Sequence, residues 1–305
     1  MTPSVTQSKL FPTNRTVTNL AQNVAGLDFT IADNPIDDTA SFVTQQYRDF
    51  LNREPDPKGL AFWSNEIVGC AFPWPECQQA KRINVSAAFF LSTEFQQTGY
   101  LVERIYKAAY GDGTGTAIVN GAHFQLPVPI IRFNEFLPDT QKIGQGVIVG
   151  QAGWEQQLES NKQSFTTEFV QRARFITALP ASMTPAEFVD KLFMNAGVKP
   201  SASERADATN EFGSATTSAD TTARARALRR MAENSTLTQQ EFNRAFVLMQ
   251  YFGYLRRDPN DGSDTDYSGY DFWLTKLNQF NGNFVNAELV KAFITSAEYR
   301  QRFGP

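Results

Sequence analysis

The chain has 305 residues, 41% of them hydrophobic and 20% charged, which excludes a disordered chain and is enough for a large core. The net charge is −4 and the pI about 5.2, with no basic stripe, so nucleic acid is not an expected partner. Phenylalanine occurs 26 times and calls for many elements that each turn an aromatic inward.

No run approaches the roughly 20 apolar residues of a membrane-spanning helix, and no signal-peptide pattern follows Met1. Residues 1–35 differ from the rest. Between Arg15 and Ile31, Leu27, Phe29 and Ile31 alternate with polar Asp28 and Thr30, which is strand spacing. We read residues 1–35 as a β-type segment and linker, the end of an upstream sandwich domain. Ala32-Asp33-Asn34-Pro35 serves as the linker.

From Asp38 onward helix signals take over. Phe42, Val43, Tyr47, Phe50 and Leu51 make one apolar face. Asp56 followed by Pro57 starts a second helix, which carries Leu60, Trp63 and Ile67 and stops at Gly69. Cys70 and Cys77 then bracket a run with two prolines. With a single histidine in the chain a Cys/His metal site is not expected. A disulfide closing a short loop is the preferred reading and implies an oxidising compartment; two unpaired thiols are the alternative. Leu101, Val102, Ile105, Tyr106 and Ala109 mark another helix, ended by Gly111. Gln125 to Ile131 is the best strand pattern beyond residue 38, and its two prolines suit an extended edge or loop. Capping boxes stand at Thr184 with Glu187, Ser201 with Glu204, and Thr238 with Glu241. Gly197 and Gly213 stand where helices stop. The arginines from Arg224 to Arg230 read as a solvated helix face.

The most informative feature is an internal repeat. Phe42 to Trp63 reads FVTQQYRDFLNREPDPKGLAFW. Phe246 to Trp273 reads FVLMQYFGYLRRDPNDGSDTDYSGYDFW. Both run Phe-Val, Tyr, an aromatic, Leu, Arg, an acid-Pro turn, Gly and Phe-Trp. Similar helices follow, VSAAFFLSTEFQ from Val85 and LVKAFITSAEYRQ from Leu289. A weaker copy begins near Tyr106 and reaches Trp154 and Leu158 after an insert. Another begins at Phe188 and lacks the Trp. The expected fold is mainly α: an array of about four related helical units behind a short β-type N-terminal segment. Residues 36–180 hold units one and two, with the insert near 111–132, and residues 181–305 hold units three and four.

The pattern Tyr-x-x-x-Leu-x-Arg-x-Pro-Asp-x-x-Gly-x-x-x-Trp, followed by Ala-Phe-x-x-Ser-x-Glu-Phe, resembles the bacterial family called domain of unknown function 4214. Tyr47, Leu51, Arg53, Pro55, Asp56, Gly59 and Trp63 match it. In the last unit Tyr251, Leu255, Arg257, Gly269 and Trp273 match, with an insertion in the turn. The resemblance spans roughly residues 38–305, strongly at both ends. It implies a helical fold similar to the core of phycobilisome linker proteins and a place in large exported proteins. It supplies no catalytic residues. Each signature residue also has a structural reading: the Tyr and Leu pack on the Trp and Phe of the next helix, Arg53 and Arg257 hydrogen-bond the last carbonyls of the helix before them, and both tryptophans are buried.

Chemistry is thinly marked. His123 is the one candidate base of a serine triad and sits in a loop-like insert. Gly111 to Gly115 lacks the helix that would cradle a phosphate, and no GxSxG, P-loop or GxGxxG pattern appears. Calcium is the leading cofactor candidate. Asp264, Asp266 and Ser268, followed by Gly269, trace the first half of an EF-hand loop. Thr275 stands where the bidentate Glu belongs, and an acidic turn capping the Trp273 helix is the alternative.

The expected function is a non-catalytic interaction or structural module of an exported or cell-surface bacterial protein, not an enzyme. Its partner is a protein or a cell-surface glycan, and self-assembly is open to it. Two alternatives stand beside it. One is a carbohydrate-binding module stacking sugars on Trp74, Tyr100 or Tyr267. The other is a hydrolase without a recognisable motif.

Overall fold

The computed structural model describes residues 9–11, 30–32, 34–70 and 75–304. Most of the Arg15–Ile31 stretch lies outside them. Lys9–Phe11 (β1) pairs antiparallel with Thr30–Ala32 (β2). A 3-10 turn at Pro35–Asp37 then leads into helices.

The helices fall into four consecutive groups. The first holds α1 (Thr39–Phe50), α2 (Pro57–Val68), α3 (Pro75–Phe90) and the short α4 (Thr93–Gln96). The second holds α5 (Gly99–Tyr110), α6 (Phe133–Gly144), α7 (Trp154–Phe169) and α8 (Ala173–Ala178). The third holds α9 (Pro185–Ala196), α10 (Ala202–Asn210) and α11 (Thr221–Ala232). The fourth holds α12 (Ser235–Gln250) with a π-helical turn at Tyr251–Leu255, then α13 (Ser268–Gln279), α14 (Leu289–Ile294) and α15 (Ala297–Gln301). The protein is mainly helical, as the periodicity requires.

The starts and stops follow local chemistry. Asp38, Asp56, Ser92, Thr184, Ser201 and Asp220 each accept a backbone N–H of the first turn that follows. The boxes at Thr184 and Ser201 are both closed by their glutamates. The third expected box is not one. Thr238 lies inside α12, whose cap is Asn234, and the Thr238 hydroxyl donates to the Asn234 carbonyl. Asn234 stands where Ser92 stands in the first unit. The short fourth helix of unit three therefore continues without a break into the first helix of unit four.

The insert between α5 and α6 is a hairpin, not a loop. Gly113–Val119 (β3) pairs with Ala122–Val128 (β4) through the turn Asn120-Gly121, both residues at positive φ. That dipeptide is the strongest short hairpin signal and marks the ribbon in the sequence. Trp154 begins α7, the third helix of its unit, so it is not the counterpart of Trp63.

One hydrophobic core runs from Ile36 to Tyr299. Packing crosses residue 180: α9 and α11 both lie on α5. Helix α5 is buried from Gly99 to Ala109, charged residues included, and forms the axis around which the other helices pack. The array also closes on itself, since the Phe50 ring meets the Tyr254 ring edge-on at 5.1 Å, joining first unit to last.

Candidate functional site

The signature residues of units one and four build the same local object twice. Tyr47 stands on α1 and Tyr251 at the end of α12. Tyr47 packs edge-on against Phe89 at 4.7 Å and Tyr251 against Phe293 at 5.1 Å. Each hydroxyl points at the first turn of the next helix, at Gly59 or Gly269. A Cβ on Gly59 would collide with the Tyr47 hydroxyl, and one on Gly269 would lie 2.7 Å from that of Tyr251. Glycine is required there for close approach, not for an unusual φ. Asp56 accepts the Gly59 N–H at 2.9 Å, so the acid of the Pro-Asp turn caps α2.

Arg53 and Arg257 act at longer range than expected. Neither side chain bonds the carbonyls of its own preceding helix. Arg53 Nε and Nη2 donate to Glu94 Oε1 and Oε2 at 2.9 and 3.0 Å. Arg257 makes the same fork to Glu298, at 2.5 and 2.9 Å. The guanidinium also lies over the signature tyrosine ring, 4.9 Å away in one unit and 5.4 Å in the other. The glutamates belong to the Ser-x-Glu-aromatic text that closes each unit. The bidentate pair thus ties the loop after the first helix of a unit to its last helix.

Trp63 and Trp273 occupy matching places, 5.6 Å from Phe89 and 5.9 Å from Phe293. They are half-buried, which corrects the expectation of full burial. Helices α2 and α13 lie at the rim, where Ile67 is the fully buried side chain of the first and Tyr270 and Leu277 those of the second. Beside each indole stands an exposed phenylalanine, Phe62 at 56% and Phe272 at 57%.

The acidic loop does not converge on a cation. Asp264 pairs with Arg257 at 2.7 Å. Asp266 accepts the Ser268 N–H, and the Ser268 hydroxyl accepts the Ile118 N–H of β3. Asp258 accepts the Phe133 N–H at the start of α6 and pairs with Arg132. Among the described residues no cluster of three or more Asp, Glu, His or Cys is placed to hold a metal. The insertion that looks like a calcium loop packs against the hairpin and α6 instead.

The expected stacking platforms fare no better. Tyr100 is 1% exposed and stacks on Phe242 inside the core, and Tyr267 is 6% exposed under the hairpin. Trp74 lies outside the described residues. His123 lies on β4, facing Ile118 across the ribbon. Arg224 is buried and donates to the Leu179 carbonyl and to Ser218, whereas Arg226, Arg229 and Arg230 pair with Glu211 or Glu159. That corrects the solvated-face reading at Arg224. Cys70 and Cys77 form a disulfide, with 6.1 Å between their Cα atoms.

The periodicity gave no sign of a buried charged centre on α5. Lys107 bridges Asp112 at 2.7 Å and Glu241 at 3.6 Å, and Arg244 pairs with Glu241 and Asp112. Glu103 lies within this group. Burial, reinforced by the Glu241 charge, pushes its carboxyl up to about 8, so it is protonated at neutral pH. Its Oε2 and the Tyr100 hydroxyl find no hydrogen-bond partner among the described residues. A buried acid neutral at pH 7 can give or take a proton only where a reactant reaches it, and Glu103 is 2% exposed.

No curated protein and no solved structure matches the chain. Residues 33–99 match the family model described as "Domain of unknown function (DUF4214)", a span that encloses the first four-helix unit, Thr39 to Gln96, which carries Tyr47, Arg53, Gly59 and Trp63.

Proposed function

We propose that the chain is a non-catalytic interaction or structural module of an exported, cell-surface bacterial protein. The observation that carries this reading is the repeated clamp. In both outer units the Tyr, Arg, Gly and Glu of the signature are engaged with one another and stabilise the unit itself. The Cys70–Cys77 disulfide supports an oxidising, exported location.

A glycan or protein partner finds its aromatic surface at Phe62 beside Trp63 and at Phe272 beside Trp273, not at Tyr100 or Tyr267. Large side chains held open to solvent at matching places in two units suit a docking role. The test is binding of the full chain to a cell-surface glycan array and to envelope protein extracts, alongside a panel of glycosidase, esterase and peptidase substrates. Binding weakened tenfold or more by Phe62→Ala with Phe272→Ala, with unchanged thermal stability, is the expected result. Turnover of any substrate that is lost on substitution of a buried acid such as Glu103 would overturn the reading in favour of a hydrolase.

A further inference from the structure

We infer that the face of the first unit carrying Gln46, Phe50 and Ser86 is a self-recognition surface, whose partner is a second unit of the same kind. In this chain the last unit takes that place. The contact pairs like with like. Phe50 and Tyr254 hold the same position in their units, and they touch each other. The third helix of one unit, α3, lies on the third helix of the other, α14, and α1 lies on the turn that ends α12. Each central aromatic is backed by the aromatic of its own closing helix, Phe50 by Phe95 at 5.6 Å and Tyr254 by Tyr299 at 5.4 Å. Contacts between equivalent surfaces about a twofold axis are the mark of an isologous interface, the kind that joins identical subunits.

The polar groups follow the same axis but are present on one side. The Tyr254 hydroxyl bonds the Ser86 hydroxyl, Ser86 donates to Gln46 Oε1 at 2.6 Å, and Gln46 Nε2 donates to the Tyr299 hydroxyl at 3.3 Å. On the mirrored side the positions of Tyr254, Ser86 and Tyr299 are Phe50, Val290 and Phe95. Gln250, the counterpart of Gln46, is buried, and its Oε1 finds no partner among the described residues. A symmetric pairing that has diverged on one face leaves this kind of orphan. Asp49 adds a fork to Arg302, at 2.8 and 2.9 Å, which secures the last unit. Gly253, the counterpart of Asp49, lets the Phe50 ring lie on the backbone of the last unit: a Cβ there would collide with the ring. The family match, residues 33–99, takes in all of α1 to α4 and stops at the first residue of α5, so the pairing face lies within the matching module.

Displacing the last unit should therefore expose a face that accepts a second copy of the chain. The test uses the full chain with Tyr254→Arg, and separately with Arg302→Glu, read by sedimentation equilibrium and circular dichroism. The expected result is a helical protein whose mass doubles with rising concentration, and which returns to monomer when Phe50→Arg is added. Helical variants that stay monomeric at every concentration overturn the inference. So does a dimer that survives Phe50→Arg. If Tyr254→Arg loses its helical signal, Arg302→Glu decides by the same two outcomes.

Discussion

Arg53 and Glu94 meet across 41 positions of sequence, and Arg257 and Glu298 meet across the same interval. In each unit the pair joins the loop after the first helix to the start of the closing helix. The side chain of Glu94 is 6% exposed and that of Glu298 37%. Removing one partner of a buried pair leaves an uncompensated charge, which costs about 3–5 kcal/mol. Arg53→Ala is expected to lose that much in urea unfolding. Arg257→Ala should lose roughly 1.5–3 kcal/mol, because Glu298 can regain water. The reverse order would sink this account of the clamp.

Gly59 is needed because the Tyr47 hydroxyl occupies the space of its Cβ. Gly59→Ala should destabilise by about 1–3 kcal/mol through overpacking. Removing the hydroxyl with Tyr47→Phe in the same chain should recover most of the loss. A double variant no more stable than Gly59→Ala alone would show that the tyrosine is not the obstruction.

The Glu103 carboxyl sets a pH dependence. Burial and Glu241 raise its folded pKa from 4.5 to about 8, while Arg104, Arg244 and Lys107 oppose the rise. The folded state holds the proton more tightly than the unfolded chain. This contribution to stability is therefore full below about pH 4.5 and is lost as pH climbs through 8. Urea midpoints measured from pH 5 to 9 should fall, and Glu103→Gln should flatten the decline. A Glu103→Gln profile parallel to that of the wild type would remove Glu103 as its source.

Val290 stands where the first unit has Ser86, and Gln250 Oε1 finds no partner among the described residues. Val290→Thr supplies a hydroxyl of nearly the same shape. If it reaches Gln250, stability should stay within about 1 kcal/mol of wild type. A loss of about 1–3 kcal/mol, as for a buried hydroxyl left unpaired, would count against the mirrored arrangement.

The disulfide closes a short loop, Cys70 and Cys77 being seven positions apart. Unfolding without reductant should leave no thiol to titrate. The pair Cys70→Ser with Cys77→Ser is expected to cost about 2.5 kcal/mol, mainly by freeing the unfolded chain. Two titratable thiols in the unreduced protein would exclude the bond.

The sequence by itself determined what depends on neighbours within a few positions. The caps at Asp56, Thr184 and Ser201 are local, because the side chain and the N–H that it accepts are three residues apart. The repeat was legible because Tyr47 and Tyr251, Gly59 and Gly269, and Trp63 and Trp273 keep their types and order. The hairpin is equally local: Asn120-Gly121 sets its turn, although Pro127 in β4 and Pro129 beyond it read as an extended edge or loop. Tertiary structure alone decided where long side chains find their partners. Arg53 chose Glu94 over the carbonyls beside it because folding brings the closing helix to the loop. Asp264 reads as a calcium ligand from its spacing, yet Arg257 supplies the nearer positive charge. Tyr100 and Tyr267 look like platforms until α12 and the hairpin cover them. Spacing along the chain fixes which groups share a helix face. Which faces then meet is set by packing between distant segments, as with Gln46 and Tyr299, 253 positions apart, and no local pattern encodes that.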